Sequence, residues 1–161
     1  MVQGDSLLDF ESFFHNEFER LFRAVCLVVG DQHEAEEVTQ EAFAIAWERW
    51  DRVARMESPA GYVLTCAVNA SRRRFKRALF ATKHVGAPVQ RDDFERIDLE
   101  DEAARILRSL PQQQRTALVL TSYLGYSSEE AGVMLGIKAS TVRVLTTRAR
   151  TALRSGLEHD T

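Results

Sequence analysis

Between residues 10 and 29 the large apolar side chains keep to one helical stripe. Phe10, Phe13, Phe14, Phe18, Leu21, Phe22, Val25 and Val29 follow i, i+3, i+4, i+7 spacing, with Glu17 the one polar intrusion. The same period returns along most of the chain. Only 8 glycines and 3 prolines occur among 161 residues; that scarcity disfavours a turn-rich β architecture, and an all-α fold is predicted.

Helix boundaries are marked by local chemistry. Gly30 closes the first stripe, and Asp31 with Glu34 three residues later forms the pattern of a capping box. The second helix carries Ala35, Val38, Ala42, Ile45 and Ala46 and runs to about Trp50. Asp51 to Glu57 is a polar loop, and Ser58-Pro59 places an N-cap before a proline at the first helical position. The third helix, through Val63, Leu64, Ala67 and Val68, enters the run Arg72, Arg73, Arg74, Lys76, Arg77. Residues 1–77 thus read as a three-helix domain.

Residues 78–97 lose the period and contain Gly86 and Pro88, so a flexible linker is expected. Residues 98–161 read as a four-helix domain. Leu99, Ala103, Ile106, Leu107 and Leu110 make its first stripe, and Pro111 opens a helix closed by Gly125. Ser127 with Glu130 is a second capping box, starting a short helix that stops at Leu135-Gly136. After a tight turn a longer helix runs from about Ser140 to Leu157. Short helix, glycine turn and long helix match a helix-turn-helix, whose second helix enters the major groove.

Charge is informative by position. Residues 1–50 hold 11 acidic and 3 basic side chains, whereas residues 71–91 hold seven basic and no acidic ones. Residues 92–102 reverse to a net −6, and residues 138–154 carry Lys138, Arg143, Arg148, Arg150 and Arg154 with no carboxylate. Two basic blocks in a chain of net charge −3 suggest two places that meet phosphate, the alternative for each being one solvated helix face.

Catalytic patterns are missing. His33-Glu34-Ala35-Glu36-Glu37 is not HExxH, and no glycine-rich phosphate loop or GxSxG occurs, so no enzyme, metal or cofactor is expected. Cys26 and Cys66 sit in apolar helical stretches, where reduced buried thiols are expected. No apolar run reaches the ~18–20 residues of a membrane span, and the amino terminus lacks a signal-peptide pattern. A soluble cytoplasmic protein is the expectation.

Two segments carry a family resemblance. EAEEVTQEAFAIAWERW looks like the core-binding helix of bacterial sigma factors, and SPAGYVLTCAVNASRRRFKR looks like the −10-reading helix that follows it. SLPQQQRTALVLTSYLGYSSEEAGVMLGIKASTVRVLTTRARTALR resembles the region that reads the −35 element. Order, spacing and a linker without an intervening domain are similar to the small extracytoplasmic-function (ECF) sigma factors, over about residues 10–157. A plain helix-turn-helix regulator or an interaction adaptor would leave the first domain or the basic blocks unexplained.

The resemblance implies a region 2-like domain that binds core RNA polymerase and a region 4-like domain that binds promoter DNA. Glu37, Gln40 and Glu41 match the face that docks on the β′ clamp coiled coil. Asn69, in AVNAS, matches an asparagine beside a flipped base, and Asp51–Glu57 the loop that captures that base. Arg72, Arg73, Arg74, Lys76 and Arg77 then hold the phosphates of the −10 region. Lys138, Ser140, Thr141, Arg143, Thr147 and Arg148 become the −35 set, and the β flap and an anti-sigma factor become further partners. The acidic block 92–102 either imitates nucleic acid in the polymerase cleft or is only a tether. The chain departs from the family at Tyr62 (usually tryptophan), at Val144 and Leu145 in the recognition helix, and at Ala131-Gly132 (usually Ile-Ala). Gly132 is expected to cost about 1 kcal/mol against alanine in a helix interior, leaving the second domain marginally stable on its own.

Overall fold

The structure is a computed structural model that describes residues 2–85 and 102–159, with side chains described over 10–81 and 105–158. Helices α1 (Val2–Val29), α2 (Gln32–Glu48), α3 (Trp50–Val53) and α4 (Pro59–Val85) make the first half. Helices α5 (Glu102–Ser109), α6 (Gln112–Leu118), α7 (Ser128–Leu135) and α8 (Ala139–His159) make the second. A π-helical turn, Val119–Tyr123, extends α6. All regular elements among the described residues are helical.

The stops and starts follow the local signals. Gly30 takes φ +81°, a left-handed value that suits glycine, and its N–H donates to the Cys26 carbonyl at 2.8 Å. The Asp31 side chain then accepts from the Glu34 N–H at 3.0 Å and caps α2. Ser58 does the same for α4, accepting from the Gly61 N–H at 3.0 Å. At α7 both arms of the capping box are present between Ser127 and Glu130.

Three boundaries differ from expectation. Helix α1 begins at Val2, well before Phe10. The expected loop 51–57 opens with the short helix α3, because Trp50 and Val53 turn inward and are buried. Helix α4 continues to Val85, eight residues past the expected end of the first domain at 77. Residues 78–85 hold neither glycine nor proline, so nothing local stops the helix before Gly86. The rest of the expected linker, and with it the acidic block up to residue 101, lies outside the described residues.

Helices α1, α2 and α4 enclose the core of the first half, built on Leu21, Val25, Val38, Phe43, Trp50, Leu64 and Val68. Phenylalanines of the α1 stripe close it: Phe14 meets Phe43 edge-on at 5.1 Å, and Phe13 lies 5.1 Å from Trp50. In the second half α8 packs on α5, α6 and α7, with Val142 and Ala149 fully buried.

The two halves pack directly on each other. Ala117, Leu120, Ala131, Leu135 and Val142 belong to the same apolar cluster as Leu21 and Val25, and Val119 packs with Ala24 and Val28. Polar bonds cross the seam as well. Arg115 donates through Nε across the seam to the Val28 carbonyl at 2.8 Å, and through Nη1 to the Arg108 carbonyl of its own half at 3.1 Å. Both acceptors lie in the last turn of a helix, where carbonyls lack intrahelical partners. Arg72 donates to the Leu135 carbonyl, the end of α7, at 3.2 Å.

Candidate nucleic-acid interface

Helix α4 carries the first set of expected site residues. Asn69, Arg72, Arg73 and Lys76 stand at i, i+3, i+4 and i+7, one face of the helix. Its other side is buried through Val63, Leu64, Ala67, Val68 and Ala70. Asn69 is exposed, so its amide has both donor and acceptor available. Arg72 is partly drawn into the seam by its bond to Leu135.

The acidic set on α2 is not separate from this basic face. Arg74 Nη1 lies 2.6 Å from Glu37 Oε2, Arg74 Nη2 3.7 Å from Glu41 Oε2, and Arg73 Nη2 3.5 Å from Glu41 Oε1. The hydrogen bond that Arg74 donates to Glu37 holds the Arg74 proton more firmly than usual. His33 Nε2 approaches Glu37 Oε1 at 3.2 Å, and Gln40 donates to Glu36 at 3.4 Å. Glu41, Arg73, Arg74 and Arg77 together line one open concavity between α2 and α4. The residues expected to meet polymerase and those expected to meet DNA phosphates thus share an ion-pair network.

Helices α7 and α8 hold the second set. Gly136 takes φ +69° and turns the chain between them. Gly132 sits where the turn folds back: a Cβ there would lie 2.7 Å from the Ile137 carbonyl oxygen. The glycine therefore permits a close approach, and the expected helix-propensity penalty is only half of its role. Along α8, Val142, Thr146 and Ala149 are buried, which leaves Ser140, Thr141, Arg143, Val144, Thr147 and Arg148 exposed. Lys138, also exposed, lies in the turn ahead of the helix. Arg143 Nη1 lies 3.2 Å from Glu129 Oε1. The Glu129 carboxyl is held below the ordinary carboxylate value, first by its own backbone N–H and then by Arg143.

Some contributors escape sequence reasoning. Tyr62 accepts a hydrogen bond from Arg49 at 3.3 Å through its hydroxyl, a use of the position that tryptophan cannot reproduce. Thr141 and Leu145 line a small cleft between the halves together with Arg72 and Leu135. Arg115 had one signal, a cation set just ahead of the apolar run Ala117, Leu118, Val119, Leu120, but its partner 87 residues away is invisible locally. No group of three or more His, Cys, Asp or Glu side chains is placed to hold a metal ion among the described residues. No helix among them is long and apolar enough to cross a membrane.

Both halves of the chain match known protein families. Residues 14–79 match the Sigma-70 region 2 family and residues 100–153 match Sigma-70, region 4. The chain is 30% identical to the ECF RNA polymerase sigma factor SigC of Mycobacterium tuberculosis, over 93% of this chain and 84% of that protein. It is 28% identical to the RNA polymerase sigma-E factor of Streptomyces avermitilis, over 98% of this chain and 89% of that one. Among solved structures, the sigma factor RpoE in complex with the anti-sigma factor NepR, from Bartonella quintana, shares the fold. Its TM-score is 0.75 at 21% identity, over 95% of this chain and 99% of that chain. CnrH in complex with the cytosolic domain of CnrY shares it with a TM-score of 0.64 at 23% identity, over 94% and 89%.

Proposed function

The chain belongs to the ECF family of RNA polymerase sigma factors, and from that premise we propose how its two halves divide the work of promoter-specific initiation. Glu37, Gln40 and Glu41 on α2 dock on the β′ clamp coiled coil, where a polar and acidic face suits a basic partner. Asn69 bonds the edge of an extruded −10 base beside the 51–57 segment. Arg72, Arg73, Arg74, Lys76 and Arg77 hold the flanking phosphates of the opening duplex. Helix α8 enters the major groove of the −35 element with Ser140, Thr141, Arg143, Thr147 and Arg148, and Lys138 meets the backbone. The second half also meets the β flap.

The observation that carries this reading is the pairing of Arg73 and Arg74 with Glu37 and Glu41 across α2 and α4. These are exposed ion pairs, and such pairs are worth about 0–1 kcal/mol. A basic polymerase surface that takes up the carboxylates therefore frees the guanidiniums for phosphate at little expense. Polymerase docking and DNA binding then support one another. An anti-sigma factor is the regulatory partner, supported by the fold shared with the sigma factor RpoE, solved in complex with the anti-sigma factor NepR.

Run-off transcription with purified core polymerase over genomic fragments, with and without this protein, tests the proposal. New transcripts with footprints over two upstream elements are expected. A protein that binds DNA alone but neither core polymerase nor a start site would overturn it.

A further inference from the structure

Helix α8 presents an unusual centre to whatever it meets. Ser140, Val144, Thr147 and Thr151 follow one another at i, i+4, i+7 and i+11 and are all exposed, with Val144 at 47%. This line runs opposite the buried residues Val142, Thr146 and Ala149, so it is the middle of the outward face. The arginines flank it: Arg143 and Arg150 on one side, Arg148 on the other.

Two of the flanking guanidiniums are tethered to their own domain. Arg143 is paired with Glu129 at 3.2 Å, and Arg150 donates to the Ser122 hydroxyl at 3.1 Å. They are held at the rim of the face, where phosphates pass, and not over its centre. Beyond Ser140, the hydroxyl donors along this line are already engaged. The Thr147 hydroxyl donates to the Arg143 carbonyl at 2.8 Å, and that of Thr151 to the Thr147 carbonyl at 2.9 Å. Their donors satisfy the helix backbone, so each threonine offers a ligand its methyl group and hydroxyl lone pairs but no donor, and Val144 has only methyl groups.

Resting on the assignment of α8 to the major groove, we infer that Val144 and Thr147 form an apolar reader of thymine C5-methyl groups, so that thymines, on either strand, define the centre of the −35 element this chain selects. In the major groove the methyl is the one apolar feature of a base edge, and threonine or aliphatic side chains are its natural contacts. Val144 and Thr147 are about 4.5 Å apart along the axis, and base pairs repeat at about 3.4 Å. The two side chains therefore address neighbouring steps.

The test uses the full chain with core polymerase on a promoter found by run-off, with each thymine of the upstream element replaced singly by deoxyuridine, which lacks only the methyl. Substitution at one or two positions is expected to lower run-off about three- to fivefold each. Val144→Ser is expected to lower transcription from the unmodified promoter and to abolish the deoxyuridine effect at one of those positions. Because Val144 is exposed, that variant keeps the helix, which far-UV circular dichroism verifies. Upstream-dependent transcription with no deoxyuridine effect anywhere would overturn the methyl reading alone. So would Val144→Ser acting equally on promoters with and without the element, the mark of a protein contact. Transcription that never depends on upstream duplex would instead overturn the groove assignment, and this inference with it.

Discussion

Arg115 is the single side chain whose loss says most about how the two halves are joined. Its guanidinium serves the Val28 carbonyl at the end of α1 and the Arg108 carbonyl at the end of α5. Burial lowers its pKa, so the group already bears a desolvation cost that the two bonds offset. Replacing Arg115 by methionine keeps the apolar stem and removes the donors. An acceptor left unpaired in a buried setting costs about 1–3 kcal/mol, and Val28 is buried. Against two such losses stands the relief of the guanidinium's own desolvation, so a net destabilisation of about 2 kcal/mol is expected. Arg115→Lys retains charge but not the planar fork, and should lose about half as much. Urea unfolding followed by far-UV circular dichroism reads the whole chain. Tryptophan fluorescence reads the first half only, since Trp47 and Trp50 both lie there. A methionine variant within about 0.5 kcal/mol of the parent, smaller than one ordinary hydrogen bond, would refute the claim that this residue joins the halves.

The remaining expectations concern single features. Glu37→Gln with Glu41→Gln should change unfolding free energy by less than about 1 kcal/mol, because the pairs are exposed. It should nonetheless weaken core polymerase binding in an anisotropy titration; unchanged affinity counts against the docking face. Gly132→Ala should destabilise by about 1 kcal/mol in thermal melts despite alanine's better helix propensity, since the new Cβ meets a backbone oxygen at 2.7 Å; a raised midpoint would show that the turn gives way freely. Burial, with smaller contributions from Asp31 and Glu36, pushes the Cys26 thiol from 9.0 up to about 11. The folded state then keeps its proton longer than the unfolded chain, so this contribution to stability is complete below pH 9 and is lost as pH rises from 9 towards 11. The slope is up to about 1.4 kcal/mol per pH unit; Cys26→Ala should flatten the decline, and an unaltered pH profile contradicts the assignment.

Local rules made most of the helices legible. The stripe from Phe10 to Val29, the caps at Asp31, Ser58 and Ser127 and the turn at Gly136 each depend on residues within one or two turns. Where the same rules were silent, boundaries moved. Nothing in 78–85 argues for or against continuing α4, and Trp50 and Val53 form a helical turn because the core, not their neighbours, holds them. The exposed face of α8 was legible as a set of residue types, but its threonine hydroxyls are committed to backbone carbonyls. A list of polar residues could not show that the threonines at its centre have no free hydroxyl donor and that Val144 lies on the same line.

Pairings across space are a different kind of information. Arg74 finds Glu37 at a separation of 37 residues, Arg72 finds Leu135 at 63, and Arg115 finds Val28 at 87. Each is an arginine, the side chain whose planar donors serve carboxylate and helix-end carbonyl alike. Sequence alone assigned Arg72 and Arg74 to phosphate and gave Arg115 no role, because a guanidinium is written the same way whichever acceptor it meets. The structure separates them by burial. Arg115 bonds two helix-end carbonyls from a partly buried position, and Arg72 is partly buried against Leu135. Arg73 pairs with Glu41 from an exposed position, and the Arg74 side chain keeps about a third of its surface in solvent. An exposed pair can be exchanged for a phosphate at a cost near zero, whereas a bond to a buried carbonyl cannot. Under the proposed division of work, Arg73 and Arg74 are by that criterion the residues handed over to DNA while the two halves stay packed, and Arg72 is the one that must first let go of α7.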